Sequence, residues 1–361
     1  MILTEEMYVP ALRWRQGEYQ ALNRLTDTAK NLIFPYITIP EVEFDFELWK
    51  PKKTIQEHVK PFPDRFKSKW GQRPAWITVH PEILGKPMDD GQDIFTYIFE
   101  NLRTYEANAL PAVPLDASPA IITVIRNIIA ADQLGVAITV RMEDLMMPGA
   151  RLRVETLCSM LGIDLEETDL VIDLGSPNFE PYRAFSGAMT VALQRFGDLE
   201  IFRNFTIIST AIPETFKDVA RGADQLVRHD WLFYQILVET LPTNMRRPNY
   251  GDYAIVNPNF APVDMRKIKA SGKLIYTTPK TWEIRKGGAF RDHPEQMHEH
   301  CASIVASGEF SGPAFSSGDD YIHKCAARTK GHSNQTRWKE VAISHHIMQV
   351  LNDLATFGAA P

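Results

Sequence analysis

Eight short apolar runs recur along this chain, each followed by a segment with helical spacing, and that alternation limits the fold more than any other feature. The runs read as strands over residues 8–14, 33–40, 75–81, 109–115, 136–141, 169–174, 205–212 and 250–257. Strands that alternate with helices pair in parallel through right-handed crossovers. Eight such units close into a barrel more readily than they spread into an open sheet. The runs are apolar nearly throughout, as strands covered on both faces must be. An open dinucleotide-binding sheet would want a glycine-rich turn after its first strand. Here that turn, Arg13-Trp14-Arg15-Gln16-Gly17, holds one glycine. The expected fold is therefore α/β, a TIM-type barrel of eight parallel strands with helices outside.

Between the runs, helical spacing covers 18–32, with Ala21, Leu22, Leu25, Ala29 and Leu32 on one face, and then 54–70 and 93–105. Ser118-Pro119 combines an N-cap with proline at the first helical position. The helix it starts runs to Leu134, before Gly135. Further helices are expected over 149–161, ending at Gly162, and over 181–196 and 214–241. Beyond Pro258 the pattern changes. Lys273 to Ile284 reads as a hairpin turning at Pro279-Lys280, followed by a helix over 290–306, a Gly/Ser/Pro loop over 308–318 and a closing helix over 337–355. The expected organisation is a barrel over 1–260 and a hairpin-and-helix extension over 261–361 that packs on it, in one folding unit.

Composition narrows the class. Hydrophobic residues make up 44% and charged residues 23%, which excludes a disordered chain and a coiled coil. No run approaches the roughly 18 apolar residues that a membrane span needs. The start, MILTEEMYVP, lacks a basic stretch followed by an apolar one, and 3 cysteines do not make a disulfide framework. A cytoplasmic location without membrane contact is the expectation. The net charge of -6 argues against a protein that coats duplexes but leaves room for a focused positive pocket.

Several segments together carry a resemblance. They are YVPALRWRQGEYQAL at the start, GDYA at the eighth run, LIYTTPKTWEIRKGG, GEFSGPAFSSGDDYIHKCA and NQTRWKEVAISHHIMQVLNDLA. This ordered set resembles the beta protein family known from tailed phages, bacterial chromosomes and prophages. Where that family usually shows Ser-Trp-Gly-Asp, this chain has Ser316-Ser317-Gly318-Asp319. The resemblance implies a phage-linked or defence-linked setting and implies no reaction.

Chemistry in such a barrel gathers at the C-terminal ends of the strands. Polar residues that end apolar runs are therefore candidates. Asp173, Asp252 and Glu143 are the carboxylates expected to act as acid/base groups or to hold magnesium. Arg13, Arg141 and Arg285 would hold phosphate oxygens, Arg285 within a loop Arg285-Lys286-Gly287-Gly288. Tyr253 and Tyr276 would orient a leaving oxygen. Trp14 and Trp282 could stack on a base or sugar, and His346 could touch a ligand. Arg141 and Asp173 lie on adjacent strands, so pairing with each other is the structural alternative to ligand contact. Seven histidines follow residue 290, but His293, His298, His300 and Cys301 do not match a zinc spacing, and zinc is not expected. No serine or cysteine sits in a nucleophile motif.

The leading functional expectation is a phosphate-bearing ligand, a nucleotide or nucleic-acid end, bound at the barrel's C-terminal face, with its hydrolysis there left open. The alternatives are a non-catalytic barrel that binds a protein partner in a defence or counter-defence assembly, and a carbohydrate-active enzyme with a carboxylate pair.

Overall fold

The computed structural model describes residues 1–259 and 269–358. The expected division between barrel and extension, at 260/261, lies outside the described residues. Eight parallel strands form a closed barrel: Val9–Arg13, Tyr36–Ile39, Ala75–Val79, Ala109–Pro114, Val136–Arg141, Thr168–Gly175, Asn204–Ser209 and Asn249–Asp252. They follow one another around the barrel in chain order, and the last pairs with the first through Val9↔Gly251 and Pro10↔Asp252. Each expected run holds one strand.

Alternation along each strand divides its residues between two cores. Val9, Ala11, Trp76, Leu110, Ala112, Ala137, Val171 and Ile208 fill the barrel interior. Their neighbours Leu12, Ile37, Ile77, Val113, Ile138, Ile172 and Ile207 pack outward against the helices. Gly251 faces inward, where a Cβ would come within 2.7 Å of Ile208 and 2.9 Å of the Val9 carbonyl. The N-terminal end of the interior is plugged by Asp169. It accepts the Trp76 indole N–H at 2.7 Å, two Arg203 N–H groups at 2.7 Å each and the Asn204 amide at 2.7 Å.

Helix starts follow their local chemistry. Ser118 caps Pro119–Asp132, and Gly162 closes Ala150–Leu161 in the left-handed conformation. The helix expected over 18–32 is two, Gln16–Arg24 and Asp27–Lys30, because Thr26 caps a fresh start with its side chain. The helix expected over 214–241 is shorter, at His229–Thr240. Residues Gly222–Val227 instead form a strand that pairs antiparallel with Thr281–Ala289. Ser271–Thr277 pairs with the other edge of Thr281–Ala289, so the expected hairpin is part of a three-stranded sheet. The loop expected up to Gly318 yields to a helix at Ser317–Ala326, where the Ser316 hydroxyl accepts from the Gly318 and Asp319 amides. The closing helix runs Gln335–Gly358 and packs against Gln16–Arg24 and Ser271–Thr277.

Candidate functional site

The C-terminal mouth of the barrel is built by parity. Counting up from Val171 brings Asp173 inward; counting from Ala137 brings Thr139 and Arg141; counting from Gly251 brings Tyr253. Two of these side chains meet. The Tyr253 hydroxyl donates to Asp173 Oδ2 at 2.6 Å, and the Gly175 amide donates to Asp173 Oδ1 at 2.9 Å. Arg141 lies in register with Asp173 on the neighbouring strand. It is exposed, and among the described residues it makes no ion pair. The direct Arg141–Asp173 pairing weighed from the sequence is therefore not formed. Its charge still reaches Asp173, as does that of exposed Glu143 on the helix Met142–Met146. Burial pushes the Asp173 carboxyl above its ordinary range, against the pull of Tyr253, Gly175 and Arg141. Burial and the Asp173 charge hold the Tyr253 hydroxyl well above its ordinary value.

Arg13 also faces the mouth, and its guanidinium donates to the Pro258 carbonyl in the segment after the eighth strand. Tyr36, Thr78 and Thr139 complete the polar rim. The Tyr36 hydroxyl and Thr139 Oγ1 lie 2.9 Å apart, and burial pushes the Tyr36 hydroxyl up to about 12. These three were not among the sequence candidates. Their signal was present: in Tyr36-Ile37-Thr38, Ile77-Thr78 and Ile138-Thr139-Val140-Arg141 the polar residues share one parity in an apolar run.

The other candidates lie elsewhere. Asp252 is fully buried and faces out through the barrel wall, one residue out of phase with Gly251 and Tyr253. Its Oδ2 meets His346 Nε2 at 2.9 Å and the Tyr250 hydroxyl at 3.0 Å, and its Oδ1 accepts from the Ala254 amide at 2.7 Å and from the Tyr8 hydroxyl. His346 Nδ1 in turn lies 2.9 Å from Thr277 Oγ1 on the appended sheet. Burial alone would raise the Asp252 carboxyl, but His346, Tyr8 and the Ala254 amide hold it below its ordinary value. Tyr276 donates to Asp319 at 2.8 Å and stacks on His345 at 3.8 Å, within the appended core. Trp282 is fully buried where that sheet meets the barrel's outer core.

Arg285 is buried on the sheet, bonded to Ser303 at 2.8 Å and Glu283 at 3.3 Å. The expected phosphate loop 285–288 lies within the strand Thr281–Ala289, whose pairing with Ser271–Thr277 shifts register opposite these residues. Trp14 points outward and packs on Tyr19, Phe62 and Phe66 with ring centroids 5.4–5.9 Å apart. It lines a separate cleft of about 570 Å³ beside the mouth, between the segments after the first two strands and the start of the closing helix. Among the described residues no group of three or more His, Cys, Asp or Glu is arranged to hold a metal ion, and no helix is long and apolar enough to cross a membrane.

Comparison with known proteins bears on the family. The chain is similar in structure to the tryptophan synthase alpha-subunit of Pyrococcus furiosus, at 12% identity and a TM-score of 0.39, over 70% of this chain and 88% of that one. It is also similar to triosephosphate isomerase of Bartonella henselae, at 11% identity and a TM-score of 0.35, over 68% and 90% respectively. No curated relative matches the sequence. The profile of a family described as Beta protein matches residues 8–352.

Proposed function

The chain belongs to the Beta protein family, and on that premise we propose that it binds a phosphate-bearing ligand, a nucleotide or a nucleic-acid end, at the C-terminal mouth of its barrel. One observation carries the reading. Arg141 stands at the mouth without an ion pair among the described residues, beside an inward carboxyl, Asp173, that is held by Tyr253 at 2.6 Å. A guanidinium in this position offers phosphate oxygens a planar fork. Arg13, tethered to the Pro258 carbonyl, adds a second positive charge at the rim.

Hydrolysis of the ligand belongs to the same proposal. Burial shifts Asp173 in the direction a general acid–base carboxyl needs. It would take the proton of a water attacking phosphorus as the P–O bond to the leaving group breaks, and pass that proton to the leaving oxygen, while Tyr253 fixes the carboxyl's orientation from Oδ2. Glu143, exposed next to Arg141, is the other carboxylate at this edge of the mouth. No step is routed through a metal. The phage-linked setting implied by the sequence resemblance completes the reading.

The test is thermal unfolding of the pure protein with nucleotides, short single strands, inorganic phosphate, sugars and divalent ions. A ligand at a hundred times its dissociation constant adds about 2.7 kcal/mol, enough to move the midpoint by a few degrees. The expected result is a rise with a phosphate compound that Arg141→Ala diminishes, and a rise of the same size in that variant counts against the mouth. If a cooperatively melting protein responds to none of these compounds, the proposal fails and the protein-partner reading takes its place.

A further inference from the structure

The cleft beside the mouth has a different character. Five cations line it: Arg15 after the first strand, Lys52 and Lys53 after the second, Arg65 on the helix Phe62–Lys69 and Lys339 on the closing helix. Glu43 is the one carboxylate in its lining. Glu43 takes Lys52 at 2.9 Å and Arg15 at 3.4 Å, and Arg15 also reaches Glu41 at 2.6 Å. Lys53, Arg65 and Lys339 enter no ion pair among the described residues. The positive field extends past the lining. Lys273 on the appended sheet is pushed down to about 8 by burial and by the charges of Lys339 and Lys286.

Two further features point to an occupant. Trp14 and the half-buried Tyr19 form an aromatic wall, their ring centroids 5.5 Å apart, with Arg65 about 6.0 Å from the Tyr19 ring. Trp14 is 5% exposed and its indole N–H has no hydrogen-bond partner among the described residues. A volume of about 570 Å³ is that of a small-molecule site.

We propose that this cleft is a second binding site, separate from the mouth, for a nucleotide that carries two or more phosphates, with Lys53, Arg65 and Lys339 on the phosphates and Tyr19 and Trp14 beside the base. Cations that enter no ion pair among the described residues suit several negative charges on one ligand. The aromatic wall gives a flat ring a stacking partner. The inference stands independently of the mouth, since none of its residues faces the barrel interior.

The experiment is calorimetric titration of the full chain with ATP and with inorganic tripolyphosphate. Both should bind to wild type, and Arg141→Ala should lose at most the event at the mouth while keeping the cleft event. Lys339→Gln and the exposed Lys53→Gln should each weaken both ligands about tenfold. Tyr19→Ala should remove any advantage of ATP over tripolyphosphate. Melting of each variant at the wild-type temperature shows that the loss is local. Absence of binding by wild type, binding unchanged in both lysine variants, or loss of all binding in Arg141→Ala overturns the second site. The last of these would move the ligand to the mouth, so the two proposals fail separately.

Discussion

Asp173 and Asp252 both stand near the C-terminal ends of barrel strands, and both bond tyrosine hydroxyls, yet they sit on opposite sides of the barrel wall. Asp173 faces the interior, with one hydroxyl at 2.6 Å and one amide at 2.9 Å, beside the exposed Arg141. Asp252 faces the closing helix and is saturated by His346, Tyr250, Tyr8 and the Ala254 amide. Their carboxyls are shifted in opposite directions, Asp173 up and Asp252 down. The difference teaches that a strand end locates a residue along the barrel axis, while parity decides whether it serves the mouth or the wall. An acid left with spare acceptor capacity beside a cation is available to a ligand. One whose lone pairs are filled from all sides joins parts of the fold.

The sharpest way to break that comparison is to remove the wall acid. Asp252→Ala leaves His346, Tyr8 and Tyr250 buried without their shared acceptor. Removing one partner from a buried ionic or hydrogen-bonded pair costs about 3–5 kcal/mol. His346→Ala should cost less, because Asp252 keeps its other donors, and the double variant should lose less than the sum of the singles. Denaturant unfolding of the three variants measures this. A loss below about 1 kcal/mol for Asp252→Ala would mean that the appended sheet and helix are not held through this network.

How much of this was legible follows from the same parity. The eight runs marked the strands because a parallel barrel wall is apolar on both faces, and each run proved to hold one strand. Arg141, Asp173 and Tyr253 share the inward parity at the mouth, where Tyr253 and Asp173 touch and Arg141 stands in register beside them. Asp252 was read by strand end alone. Its neighbours Gly251 and Tyr253 already share a parity from which it is excluded. The strand Gly222–Val227 was not legible. It has exposed positions and no apolar run, and what makes it a strand is pairing with residues about 60 positions later. The segments that carried the family resemblance supply Asp252, Tyr276, Thr277, Asp319, His345 and His346. These form the buried network between barrel and extension, which no local spacing describes.

A third buried acid extends the comparison at intermediate size. Glu18, near the cleft, is 1% exposed, and among the described residues neither of its carboxyl oxygens has a hydrogen bond. Burial pushes it up to about 7 against the charges of Lys339, Arg15 and Arg13. The folded form therefore holds the Glu18 proton more tightly than the unfolded chain does. Its contribution is full below the ordinary glutamate range and is lost as pH rises toward 7. Glu18→Gln should be near-neutral at pH 4.5 and stabilising by about 1–3 kcal/mol at pH 8. Unfolding midpoints for both proteins across that range decide it. An equal effect at the two pH values would mean that the Glu18 carboxyl is not shifted, and a variant less stable than wild type at pH 8 would place Glu18 with the saturated acids.

The smallest effect on stability belongs to the mouth, and there smallness is the point. Arg141 is exposed and has no ion pair among the described residues, so Arg141→Ala should change stability by no more than about 0.5 kcal/mol. Tyr253→Phe removes one hydrogen bond to a carboxylate, worth about 1.5–3 kcal/mol between ideal partners. The loss should fall below that range, because the variant leaves Asp173 with the Gly175 amide and without the cost of ordering a second group. Unfolding measurements on the two variants, read beside Asp252→Ala, set mouth against wall directly. If Arg141→Ala destabilised the barrel as much as Asp252→Ala, Arg141 would be a structural counter-ion for Asp173. The mouth would then have no cation free for a ligand, and the distinction drawn between the two acids would collapse.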